Sequence, residues 1–144
     1  MEIRQLTIFM DNRPGRLLSI TSVLAQAGVN LRALSIADST DFGLLRIIVD
    51  DVDKASAALS EAGLVVKVNQ VVAVEVPDKP GGLNSILGQL AFDEINIEYI
   101  YAFASGEDKE KALVLFKFND NAKAISILKK QDVRLLSEDD IRKL

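Results

Sequence analysis

The stretch Asn12-Arg13-Pro14-Gly15-Arg16-Leu17, NRPGRL, closes an alternating apolar run and opens a helical one. Sixty-six positions later Asp78-Lys79-Pro80-Gly81-Gly82-Leu83, DKPGGL, does the same. One folding unit needs such a strand-to-helix corner once, so two corners predict two copies of one unit. The offset of 66 also pairs Ser19 with Ser85, Ile20 with Ile86, Leu24 with Leu90 and Asn30 with Asn96. Farther along, an offset near 69 pairs Lys54-Ala55 with Lys123-Ala124 and Leu59 with Leu128. The growth falls in a turn, around Ser105 to Lys109 against Ser39 to Asp41, and loops absorb insertions that packed elements cannot. The predicted domains are 1–70 and 71–144.

Each copy reads strand, helix, strand, strand, helix, strand. In the first, Leu6, Ile8 and Met10 alternate with Thr7 and Phe9 at strand period. Leu17, Ile20, Leu24 and Ala27 recur at helical spacing and end at Gly28, a good left-handed cap. Leu31 to Ala37 and Gly43 to Val49 read as strands joined by Asp38-Ser39-Thr40-Asp41. A helix follows from Val52 to Ala62, stopped by Gly63, and Leu64 to Val68 closes the unit. The second copy predicts strands over Val71 to Val76, Ile97 to Ala104, Ala112 to Phe118 and Val133 to Leu136. Its helices run from Gly82 to Phe92 and from Asn121 to Lys130. Glu94 stands where the first copy has Gly28, so this helix end lacks its glycine cap. Ser137 caps a last short helix with acids in its first turn. The fold class is α+β: two ferredoxin-like βαββαβ units, each an antiparallel sheet with helices on one face. Leu44, Leu45, Ile47, Ile48 and Val49, like Val71, Val72, Val74 and Val76, are apolar on both sides of their strands, which predicts association through the sheets.

Composition narrows the chemistry. With 17 Lys and Arg against 21 Asp and Glu, and the basic residues scattered among acids, no face is built for nucleic acid. No His and no Cys means that the commonest general base, the thiolate nucleophile and the usual zinc ligands are missing. No catalytic residue, metal or cofactor is therefore expected. Asp50-Asp51-Val52-Asp53 reads as helix capping, since Asn119-Asp120-Asn121 recurs at the same helix start. No apolar run is long enough for a membrane span and the first residues carry no secretory pattern, so the expected compartment is the cytoplasm.

The corner has two readings. Structurally, Pro14 and Pro80 preset the first helical angle, Gly15 and Gly81 permit close approach, and Asn12 and Asp78 cap exposed N–H groups. Functionally, free N–H groups and the positive end of a helix suit a small carboxylate. Asn30 and Asn96, each at the start of a second strand after an apolar residue, add an amide able to bond both ends of a zwitterion. An α-amino acid is the ligand that uses all of these groups.

The runs MDNRPGRLLSITSVLAQAGVN and VPDKPGGLNSILGQLAFDEIN each resemble the start of an ACT domain, a βαββαβ module that senses small molecules. The resemblance covers the chain as a tandem pair. It implies units paired side by side into an eight-stranded sheet, with a free amino acid at the seam. One implied site combines Asn12, Arg13, Pro14, Gly15, Arg16 and Leu17 with Asn96 and Ile97. The other combines Asp78, Lys79, Pro80, Gly81, Gly82 and Leu83 with Asn30 and Leu31. Some serine-sensing members carry His at the place of Met10, so serine is not the ligand to which the resemblance points. A homodimer and an enzyme of amino-acid metabolism are the implied partners. The alternative is a regulatory subunit acting mainly through protein contact, its corners merely structural.

Overall fold

The computed structural model describes residues 1–38, 42–104 and 108–144. Ser39–Asp41 of the first expected turn, and Ser105–Glu107 of the turn expected from Ser105 to Lys109, lie outside these residues. The elements run β1 (Ile3–Asp11), α1 (Arg16–Gln26), β2 (Leu31–Asp38), β3 (Phe42–Val49), α2 (Val52–Glu61) and β4 (Val65–Pro77). There follow α3 (Gly82–Leu90), a 3-10 turn (Ala91–Asp93), β5 (Ile97–Ala102), β6 (Lys111–Phe118), α4 (Asn121–Lys130), β7 (Leu135–Leu136) and α5 (Glu138–Lys143). Two compact units emerge, Arg4–Asn69 and Gln70–Leu144 with Met1–Ile3.

In the unit Arg4–Asn69, β3 lies antiparallel between β1 and β2, with Ile8 opposite Leu45 and Leu34 opposite Ile47. Alternation turns Leu6, Ile8 and Met10 with Leu45, Ile47 and Val49 to one face. There they meet Ile20 and Leu24 of α1 and Val52, Ala55 and Leu59 of α2. The other face carries a polar chain. The buried Gln5 donates to the Thr7 hydroxyl, which donates to Asn69 Oδ1 at 2.8 Å.

In the other unit β6 lies between β4 and β5, and β4 also pairs with β7 (Ala73 opposite Leu136). Val72, Val74, Val76, Phe116 and Phe118 pack under Ile86 and Leu90 of α3 and Ala124, Ile125 and Leu128 of α4. Val71, Ala73 and Leu115 alternate to the face away from these helices and are fully buried as well. The buried Asn121 fixes the start of α4. Its Oδ1 accepts from Phe118 N, while its Nδ2 donates to Gln70 O and to Glu2 Oε1.

Three expectations change. Leu64–Val68 and Val71–Val76 are not separate strands: β4 is continuous through Asn69 and Gln70, so the described residues hold seven strands rather than eight. Neither Asn12 nor Asp78 caps a helix, and Pro14 and Pro80 precede the helices rather than opening them. The caps are Gly15 and Gly81 at φ +84° and +83°, left-handed angles that glycine adopts without steric cost. At the end of the α3 segment, Glu94 itself takes the left-handed conformation (φ 55°) that Gly28 supplies in the first copy. Asp51 and Asp120 cap as expected, accepting from Lys54 N and Lys123 N at 3.0 Å each.

Candidate functional site

The corners have the same backbone wiring. Arg13 N donates to Asp11 O, Arg16 N to Arg13 O and Ser19 N to Gly15 O. Lys79 N donates to Pro77 O, Gly82 N to Lys79 O and Ser85 N to Gly81 O. With left-handed glycines as caps and no side-chain cap, Arg16 N and Gly82 N turn back onto the corner, and the next amides, those of Leu17 and Leu18 in α1 and of Leu83 and Asn84 in α3, are left without a partner among the described residues.

Side chains set the corners apart. At the first, Asp11 accepts from Arg16 Nε at 2.5 Å and pairs with Arg13. The Arg16 guanidinium foremost, then that of Arg13, lowers the Asp11 carboxyl from 3.8 to about 2 against an opposing effect of burial. Arg13, Pro14, Gly15, Arg16 and Ser19 line one shallow depression of about 340 Å³. The residue that organises it, Asp11, was not singled out in the sequence; its signal is an acid two and five positions ahead of two arginines. At the second corner Pro77, Lys79 and Gly82 replace Asp11, Arg13 and Arg16, so no such clamp forms. Asp78 N donates to Glu110 O instead, at 2.8 Å.

The clamp has a pH consequence. Because the folded pKa of Asp11 lies below the usual value, its stabilisation is complete above pH 3.8 and is lost as pH falls toward about 2. The native chain should therefore lose stability relative to Asp11→Asn over that window, in urea titrations at stepped pH. Parallel curves would mean that Asp11 is unclamped in solution.

Asn30 and Asn96 are held alike. Asn30 N donates to Asp50 Oδ1 and its carbonyl accepts from Asp50 N; Asn96 does the same with Asn119. Both side chains are exposed, and neither amide has a partner among the described residues. Within its own unit Asn30 lies beyond the far end of α1, whose 11 residues span about 16 Å. The first corner and Asn30 therefore do not meet within one unit. Leu17 and Leu31 pack on the first core and Ile97 on the second, while Leu83 stays exposed.

The whole chain, residues 1–144, matches the family described as ACT domain pair. The chain belongs to this family. An ACT domain pair is a regulatory, non-catalytic type of domain. Among solved structures, a protein from Bacteroides thetaiotaomicron is 42% identical at a TM-score of 0.93, over 100% of this chain and 98% of that one. The regulatory subunit of aspartate kinase from Thermus thermophilus, in a ligand-free form, is 15% identical at 0.61, over 88% and 90%. That from Thermus flavus is 16% identical at 0.59, over 88% and 90%. These last two share the fold. No curated protein matches. Among the described residues, no cluster of acids could hold a metal ion and no helix is long and apolar enough to cross a membrane.

Proposed function

We propose that this ACT domain pair is a cytoplasmic regulatory protein that binds a free amino acid between ACT-like units. In this reading units pair side by side, in one chain or in a homodimer. The corner of one unit and the second-strand asparagine of another then face the same ligand. The carrying observation is the state of Asn30 and Asn96: both main-chain groups are satisfied, yet the side-chain amides are exposed and unpaired. Exposed and outside the packing, each amide keeps its donors and acceptor available to a ligand. The carboxylate of the ligand would take open amides at α1 or α3, and the asparagine would bond both ends of the zwitterion.

The two sites differ in charge. Asn96 would serve a corner with two arginines already shared with Asp11; Asn30 would serve one with Asp78 and Lys79, which favours the ammonium end. A thermal-shift screen of the twenty amino acids tests the reading. A ligand at 100 times its Kd adds about 2.7 kcal/mol, a clear rise in Tm. Asn96→Ala or Asn30→Ala should abolish that rise, according to which site is tight. A full rise in both variants would sink the pairing.

Exposed apolar side chains favour the second reading, a subunit working by protein contact, most directly Phe92, which is 94% exposed. It predicts no ligand-induced rise, together with a metabolic enzyme that co-purifies with the chain and is lost in Phe92→Ser.

A further inference from the structure

On the helix side of the unit Gln70–Leu144 a groove of about 500 Å³ runs between α3 and α4, and Phe92, 94% exposed, stands at one end of it. Lys123 Nζ donates to Asp93 O at 2.7 Å, which puts the end of the α3 segment near the first turn of α4. Lys130 lies seven residues farther along α4, about 10 Å away, at the other end of the groove. Ile127 gives the groove an apolar wall, and Gly88 leaves it room, since a Cβ built there would stand in open space. The fold does not require these residues. At the offsets of 66 and 69 the first copy has Ser22, Gln26, Ala58 and Glu61 in place of Gly88, Phe92, Ile127 and Lys130.

Charge changes sign along the groove. Asp93 and Lys130 are the charged residues that line it, one at each end, and neither side chain has a partner among the described residues. Their neighbours keep the sign: Asp93 and Glu94 outnumber Lys123 at one end, and Lys129 and Lys130 outnumber Asp132 at the other. A two-fold contact needs a surface complementary to itself. Laid antiparallel on its own image, this groove sets Asp93 over Lys130 twice. It also brings each Phe92 into the other groove and lets the two α3 helices approach at Gly88. Exposed aromatic rings that enter such a space are the usual anchors of an interface. We infer that the face between α3 and α4 is a contact between two copies of this chain. It lies apart from the sheets and does not depend on the ligand reading. A contact confined to one groove falls below about 1,200 Å², so its Kd is expected above about 1 µM, and melts of dilute protein read the chain without it.

Sedimentation equilibrium of the full chain from about 1 µM to about 1 mM tests the contact. The mass should rise with concentration toward twofold, and Phe92→Ser should weaken that association about tenfold or more. The Phe92 ring is exposed, so this variant keeps its fold. Asp93→Lys and Lys130→Asp should each weaken association about threefold or more, because like charges then face each other. An equal mixture of these two variants should restore it, since every facing pair is again of opposite sign. Asn30→Ala and Asn96→Ala should leave it unchanged, which separates this contact from the pairing that holds a ligand. A mass that stays constant to 1 mM would overturn the interface and leave Phe92 to a different protein. So would association undiminished in Phe92→Ser, or a mixture that associates no better than its two components.

Discussion

Phe116→Ala should cost about 3–5 kcal/mol, the range for emptying a large aromatic from a closed core. Phe116 is fully buried, lies opposite Val72 and stacks on Phe118 with ring centroids 5.2 Å apart. The cavity would open among Val74, Leu128 and the helices above them, all held by backbone pairing that cannot collapse inward. Urea unfolding gives the number, and Phe92→Ala gives the contrast, because a side chain 94% exposed should change stability by less than about 0.5 kcal/mol. A loss under about 1 kcal/mol for Phe116→Ala would contradict the core described for Gln70–Leu144.

Gly82→Ala is the second large effect, and its sign opposes helix propensity. Gly82 opens α3, where alanine would ordinarily gain about 1 kcal/mol over glycine. A Cβ there would lie 1.9 Å from Pro77 O and 3.0 Å from Pro77 C, both main-chain atoms that cannot swing aside. The expected result is a net loss of about 3 kcal/mol, at the upper end of overpacking. Gly88→Ala, in the same helix with open space at the Cβ position, should instead gain about 0.5–1 kcal/mol. Opposite signs in paired urea or thermal melts are the signature; two gains would show that the second corner is looser than described. The first corner carries Arg16 at the equivalent place, so the close approach belongs to one corner alone.

The duplicated βαββαβ pattern was legible because its signals are local. Leu6, Ile8 and Met10 alternate, Ile20 and Leu24 recur at helical spacing, and the Asp51, Asp120 and Ser137 caps all fall where the side-chain chemistry predicts. The continuity of β4 was not legible. Asn69 and Gln70 look like a break, but Asn69 pairs with Thr7, and Gln70 offers its carbonyl to Asn121. Those partners are 62 and 51 positions away, beyond the reach of any local pattern. The corners were found but read one element too simply. Asn12 and Asp78 are good capping residues by type, yet a left-handed glycine at the cap position turns the helix start away from them. The Asp11 clamp depends on Arg16 folding back across the corner, which composition does not announce. Asn30 and Asn96 were singled out from their repetition and their place at a strand start; what spacing could not give is that Asp50 and Asn119 hold the backbone and leave the amide exposed.

The bond from Asn121 to Glu2 spans 119 positions, which sets an order on biogenesis. Glu2 is synthesised 119 residues ahead of its partner on α4, and closing so long a loop is slow relative to local contacts. Glu2, just ahead of β1, is thus left unclaimed until α4 has been made, an interval in which chaperone capture or aggregation would compete with completion of the fold.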